Sequence, residues 1–374
     1  MKITAIETYS NQYVGFVRVC TEDGAEGWGQ VSTYNADISA KVLHRQVAPH
    51  VLGQDAGNDA GSIEAIVDHV IDREFKFPGS YIKRAVGGVD TALWDLHGKL
   101  AGKSVCELLG GTPHPFPVYA SSMKREEITL EDEVARLVRL RDEHGYQACK
   151  FRIGREFGYD DDAWPGRTET IVPAMRQAMG DEMALMVDAN CCYTPAKAIE
   201  IGHMLEDYGI AHYEEPCRYW DFEQGAEVTR ALAPFNIKVA GGEQDCSVPN
   251  WRRIIELGAF DIMQPDVCYL GGLCRTLRVA KMAQAAGFPC TPHSANLSLV
   301  TVFSLHLMGA LENAGPYVEF SIEGSDYYPW QENLFAPALV ALDGKVQIPD
   351  GPGWGIEINE EWLVGAEREV SRLE

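Results

Sequence analysis

Residues 3–9 and 14–20 are dense in β-branched and aromatic side chains, the composition of pleated strands, and the short link at residues 10–13 suits a hairpin. The segment TEDGAEGWGQ then supplies a turn and a further strand. From Ala36 onward the rhythm changes. Val86, Val89, Ala92, Leu93, Leu96 and Leu100 recur at i, i+3 and i+4, which predicts a helix that Gly110 and Gly111 end. The first 110 or so residues therefore read as α+β.

Pro113, Pro115 and Pro117 follow, and proline suits neither a helix interior nor a central strand, so TPHPFPV reads as a linker. Beyond it short apolar runs recur at VYASS, ACKFRIG, ALMVDAN, AHYEEP, IKVAGGE, FDIMQPD, FPCTPHS and YVEF, each separated by enough chain for a helix. Eight strands alternating with helices imply a parallel sheet, and that number suits a closed (β/α) barrel. From about Tyr328 the rhythm breaks, so the tail is expected to pack elsewhere.

Charge narrows the partners. With 32 Lys and Arg against 55 Asp and Glu the formal charge is -23, a surface that repels phosphate backbones and anionic lipid. Nucleic acid and membrane are therefore not expected, and an anionic substrate would need positive charge concentrated by a metal or by a few placed Lys and Arg. The first residues contain no long apolar run, so neither a signal peptide nor a membrane span is read there and a cytoplasmic location is expected. Ten Cys without CxxC spacing fit buried small hydrophobes in a reducing compartment.

In a (β/α) barrel the chemistry lies at the C-terminal strand ends. The polar residues closing the runs are Lys150 and Arg152, Asp188 and Asn190, Glu214, Glu243, Asp266, His293 and Glu319, spaced by about one βα unit. One such acid most often caps the next helix. Three in succession, Asp188, Glu214 and Glu243, would repel unless a cation lay among them, and hard oxygen donors select Mg2+ over zinc. Asp266 can hold one ring nitrogen of His293 and leave the other free as acid or base, against the plainer reading of a structural histidine. His44, His69, His97, His144 and His203 read as helix-surface residues. Lys150 and Arg152 share one strand face; Arg152 stays protonated, whereas Lys150 could act as a base if its surroundings depressed its pKa.

Taken together, AVGGVDTALWDLHGKLAGKSVCELLGG (85–111), CKFRIG (149–154), VDAN (187–190), EEP (214–216), GGE (241–243), QPD with YLGG (264–272), PHS (292–294) and PDGPGWG (349–355) resemble the mandelate racemase branch of the enolase superfamily. The resemblance implies a (β/α)7β modified TIM barrel at 116–327, with an α+β capping domain formed by 1–115 and completed by 328–374. It also implies Mg2+ on Asp188, Glu214 and Glu243, an Asp266/His293 dyad, Asn190 near the substrate and Glu319 on a substrate oxygen. The expected activity is an acid-sugar dehydratase giving a 2-keto-3-deoxy acid, in a homo-oligomer. A racemase, epimerase or lactone cycloisomerase, and a sugar-acid binding protein without turnover, stand as alternatives. Two departures bear on this choice. Arg152 stands where members with two opposed bases carry the second Lys of Lys-x-Lys, and the link at 10–13 leaves little capping loop.

Overall fold

The N-terminal runs form the expected hairpin: β1 (Ile3–Ser10) and β2 (Gly15–Thr21) pair antiparallel, and β3 (Glu26–Gln30) continues the sheet. The computed structural model describes residues 1–374. At the far end of the chain, Glu367–Arg372 pairs with the other edge of β1, so the last residues complete a four-stranded sheet begun by the first.

A long helix, Ser80–Ala101, lies between this sheet and the rest of the molecule and is buried along most of its length. Glycines bring it close to the sheet. A Cβ on Gly29 would meet Ala92 N and Thr91 Oγ1 at 2.4 Å, so no larger residue fits that crossing. Two carboxylates on the helix then tie it outward. Asp90 accepts from the backbone N–H of Leu273 and Cys274, capping the helix Leu273–Ala285 on the barrel side. Asp95 accepts from Trp28 N on the sheet and Trp354 N in the C-terminal segment. The helix stops earlier than its apolar rhythm suggests. Gly102 adopts φ 63°, and Ser104 with Glu107 forms a capping box for a separate turn, Val105–Leu108, before Gly110 is reached.

The structure also corrects the reading of two histidines as surface residues, His97 on this helix and the half-buried His44 on the turn Leu43–Val47. His97 is only 4% exposed and its Nε2 bonds Ala56 O at 2.9 Å, because a helix packed on both sides has no solvent face. His44 bridges Thr8 Oγ1 at 2.9 Å and Ser371 Oγ at 2.8 Å, joining the first and last strands of the sheet.

The barrel is built from β4 (Pro115–Ser121), β5 (Ala148–Arg152), β6 (Ala184–Asp188), β7 (Ile210–Glu214), β8 (Lys238–Gly241), β9 (Ile262–Met263) and β10 (Val318–Ser321). β4 to β9 pair in parallel in sequence order and β10 pairs in parallel with β4, while no ladder joins β9 to β10. Of the three prolines of the supposed linker, Pro113 precedes β4, and Pro115 and Pro117 lie inside it. They are tolerated because β4 begins on the antiparallel strand Lys345–Gln347, while its parallel ladders start only at Val118 and Ala120. FPCTPHS, expected as a full strand, contributes single bridges from Cys290 to Met263 and to Ala314. Pro289 and Pro292 lack the N–H that a longer ladder needs. Helices on the outside and the capping sheet over one end complete a (β/α)7β barrel with an α+β cap. All ten cysteines are free, eight of them buried, and no helix is long and apolar enough to cross a membrane.

Candidate active site

Side chains alternate along each strand, so the parallel register puts Arg152, Asp188 and Glu214 at one level inside the barrel. Lys150 lies one level below, beside Met186 and His212. Asn190, Glu243, Asp266 and His293 follow the ends of their strands, and Glu319 sits within β10. All nine residues selected from the sequence gather at this end of the barrel, beneath the cap.

Their pairing is specific. Lys150 Nζ, fully buried, lies 2.6 Å from Glu214 Oε1 and 2.9 Å from Glu319 Oε1. Burial alone would lower its pKa, but the two carboxylates overcome that and raise it well above the usual lysine value. Glu214 and Glu319 thus oppose the depression that a base role for Lys150 would need. The same contacts hold Glu319 down at about 2 against its burial, and Glu214 well below the carboxylate range. Glu319 is further fixed by Ser121 Oγ at 2.8 Å and Ser294 N at 3.0 Å.

Arg152 forms an ion pair with Asp188, and its Nε donates to Ser122 O at 3.0 Å. Asp188 in turn accepts from Asn190 N at 2.7 Å and Asn190 Nδ2 at 3.1 Å.

Across the barrel, His293 Nδ1 lies 2.8 Å from Asp266 Oδ2, whose other oxygen accepts from Cys268 N and Tyr269 N at the start of a short helical turn. His293 Nε2 faces Glu243 Oε2 at 3.3 Å. Burial would lower the imidazole pKa, yet Glu243 and Asp266 raise it to about 10. Glu243 itself is pushed upward by burial, with His293 opposing.

The three carboxylates Asp188, Glu214 and Glu243 do not converge as a closed metal-holding group. Each turns to a cation of the chain, Arg152, Lys150 or His293, because buried anions without counter-charge cost several kcal/mol. One carboxylate has no such partner. Glu215 is buried, its Oε1 has no hydrogen bond, and burial with the nearby Glu243 and Glu214 raises its pKa far above the usual range. An orphaned carboxylate oxygen among oxygen-only donors fits a hard divalent cation.

Sequence reasoning passed over Glu215, although it stands inside the EEP motif; its left-handed backbone, φ 40°, turns it away from the strand alternation used to choose candidates. Asn190 and Cys191 are also at positive φ, and Cys191 N bonds Glu215 O at 2.8 Å, so the two strand ends interlock in strained conformations. Arg125 was missed as well. It follows β4 and donates to Asn190 Oδ1 at 2.5 Å, and no motif marks it. The link at 10–13 is indeed short, and the cap reaches the mouth through aromatics instead: Tyr13 stacks on Trp330 at 5.7 Å, with Tyr34 edge-on at 5.6 Å. A cavity of about 600 Å³ opens at the opposite, N-terminal end of the strands, lined by Tyr119, Lys238, Phe288 and Tyr317, and none of the nine candidate residues borders it.

Residues 2–110 match the N-terminal domain of the mandelate racemase / muconate lactonizing enzyme family, and residues 132–362 match the enolase C-terminal domain-like family. The D-galactarolactone cycloisomerase of Agrobacterium fabrum is 32% identical over 93% of this chain and 89% of its own length. The arabinonate dehydratase of Saccharolobus solfataricus is 28% identical over 91% and 87%. Among solved structures, a proposed racemase from Roseobacter denitrificans superposes with TM-score 0.96 at 57% identity over all of both chains. A mandelate racemase/muconate lactonizing protein from Paracoccus denitrificans, complexed with magnesium, gives TM-score 0.87 at 28% identity over 98% of each chain.

Proposed function

Since this chain belongs to the mandelate racemase / muconate lactonizing enzyme family, we propose that it is a Mg2+-dependent dehydratase of aldonic or aldaric acids. The observation that carries the choice among the family's reactions is the asymmetry of bases. On one side His293 is held by Asp266; on the other, Arg152 is committed to Asp188 and Lys150 to Glu214 and Glu319. Relatives named as dehydratases of arabinonate, gluconate and galactonate, at 26–28% identity, support the same reading.

Asp188, Glu214 and Glu243, with Glu215 beside them, would hold Mg2+, and its charge supplies electrostatic stabilisation to the oxygens of a carboxylate as the adjacent carbon loses its proton. His293 acts on that proton. With Nδ1 directed to Asp266, Nε2, which faces Glu243 at 3.3 Å, is the nitrogen that would take it, and the resulting imidazolium is stabilised by Asp266. The electron pair left on C2 forms the C2=C3 bond as the C3 hydroxyl departs with the proton that His293 carries. Water is lost, and the enol becomes the 2-keto-3-deoxy acid. Arg152 and Lys150 are offset by Asp188, Glu214 and Glu319, so the positive charge an anionic substrate needs in this strongly acidic protein would come from Mg2+.

A racemase or epimerase reading is favoured by the 57%-identical structure, and a cycloisomerase by the 32%-identical relative. Racemisation needs a second base facing His293, and Lys150 would have to give up its proton between two carboxylates. Incubating the enzyme and Mg2+ with a panel of aldonic and aldaric acids decides between them. A 2-keto-3-deoxy product from the open acids supports dehydration; an α-epimer without keto acid, or keto acid formed only from added lactones, overturns it.

A further inference from the structure

Several buried or half-buried cations at the barrel mouth face a carboxylate, and Arg125 does not. Lys150 meets Glu214 and Glu319, Arg152 meets Asp188, and Lys124, next to Arg125 in sequence, meets Glu323 and Asp326. The Arg125 guanidinium has only two neutral acceptors, Asn190 Oδ1 at 2.5 Å and Gly154 O at 3.2 Å, and no carboxylate oxygen within 4.0 Å.

Its nearest charged company makes the imbalance larger. Arg152 donates to the same Asn190 oxygen at 3.1 Å, so one amide oxygen is shared by two guanidinium groups. Arg167, behind them, bonds the carbonyls of Arg152 and Lys124 and likewise has no carboxylate partner. Burial and the Arg152 charge push the Arg125 pKa down to about 9, with Glu156 and Tyr327 opposing. A guanidinium in this position loses hydration without gaining an ion pair, so an anion brought from outside the chain would find an unmatched charge here.

The location says what that anion belongs to. Arg125 is one side chain away from Asp188, through Asn190, and therefore borders the site proposed above for the substrate. The planar fork of an arginine matches a carboxylate in two parallel hydrogen bonds, whereas a hydroxyl offers only one acceptor atom and no charge.

Building on the acid-sugar reading, we infer that Arg125 binds a second carboxylate at the far end of the substrate, so that the preferred substrates are aldaric diacids rather than aldonic monoacids. Arg152 and Asn190 position the guanidinium, and the diacid supplies the charge that the chain leaves out.

Matched pairs that differ only in oxidation of the terminal carbon test this: galactarate against galactonate, and glucarate against gluconate. Binding is read by calorimetry and by ligand-induced thermal shift in the presence of Mg2+, and turnover by keto-acid formation. In the native enzyme at least one diacid should bind tighter than its monoacid by about 10- to 100-fold, the range of a charge-assisted hydrogen-bonded contact. R125Q should reduce that ratio by a similar factor, R125K should restore part of it, and R84Q should leave the ratio as it is. Arg84 is the comparison of choice because it too lacks a carboxylate partner but lies over Tyr269, 3.7 Å from the ring centre, on the His293 side. Equal binding of diacids and monoacids, no binding of either diacid, or equal losses for both members of a pair in R125Q would overturn the assignment. So would a change of ratio in R84Q and not in R125Q. Failure of the dehydratase reading looks different: diacid preference in binding persists, and no substrate yields a keto acid.

Discussion

Lys150 and Glu214 meet at 2.6 Å with both side chains withdrawn from solvent, so the lysine at the base of the site is a counter-ion before it is anything else. Removing it leaves Glu319 with only the neutral donors Ser121 and Ser294, and Glu214 with His212 and Gln264. Lys150→Met should therefore lower unfolding stability by about 3–5 kcal/mol, the cost of breaking a buried pair from one side. Urea denaturation measures it. A loss under 1 kcal/mol would mean the carboxylates find another partner.

Metal removal is the second expectation. Chelation should abolish turnover, and Mg2+ should restore it. Because Glu215 Oε1 has no hydrogen-bond partner, Mg2+ should also raise the melting temperature of the native enzyme, and less so in Glu243→Gln. An equal shift in both proteins would remove Glu243 from the binding set.

His293→Asn keeps a polar group near the same volume and should fold normally by circular dichroism while losing about 10²- to 10⁴-fold in turnover. Near-native turnover would transfer the base role to Lys150, against the raised pKa that its neighbours impose.

Solvent deuterium reports how many faces of the α-carbon are served. With Arg152 bound to Asp188, one face has a base, so the keto acid should carry deuterium at C3 and recovered substrate should keep one α-configuration. Recovery of both α-epimers with deuterium at C2 and no keto acid would falsify the one-base arrangement.

Acid should weaken the fold through His306, which lies far from this chemistry. Its Nδ1 accepts from Cys106 N at 3.0 Å and its Nε2 faces Trp354 O at 3.1 Å, so the neutral ring is built in and a second ring proton would oppose an N–H. Burial lowers its pKa to about 4 from an ordinary 6.5, with the Trp354 carbonyl opposing. Between those values the unfolded chain binds a proton that the folded one refuses, so this contribution is intact above pH 6.5 and falls as pH drops toward 4. The loss is about 3 kcal/mol. Denaturation midpoints of the native protein and His306→Gln, compared across that window, should converge as pH falls; parallel curves would remove His306 as the cause.

Much of this protein is local and therefore legible in one dimension. Strand periodicity put Lys150 and Arg152 on one face, and unit spacing located Asp188, Glu214, Glu243, Asp266, His293 and Glu319 at one end of a barrel, because each depends only on where a strand stops. Motif order carried the family. Where a helix ends was less legible: Gly102 and the Ser104 cap end it before Gly110 because two weak local signals compete and packing chooses. His97 was misread for a related reason, since an amphipathic pattern cannot say that a helix will be covered on both sides. Charge pairing was not legible at all. That Lys150 serves Glu214 and Glu319, that Arg152 serves Asp188, and that Arg125 is left with neutral oxygens are relations among residues on different strands. Sequence determines which ionisable groups reach the barrel mouth; only the tertiary structure decides which of them neutralise each other, because Coulomb energy depends on distances of a few ångströms that spacing along a chain does not fix.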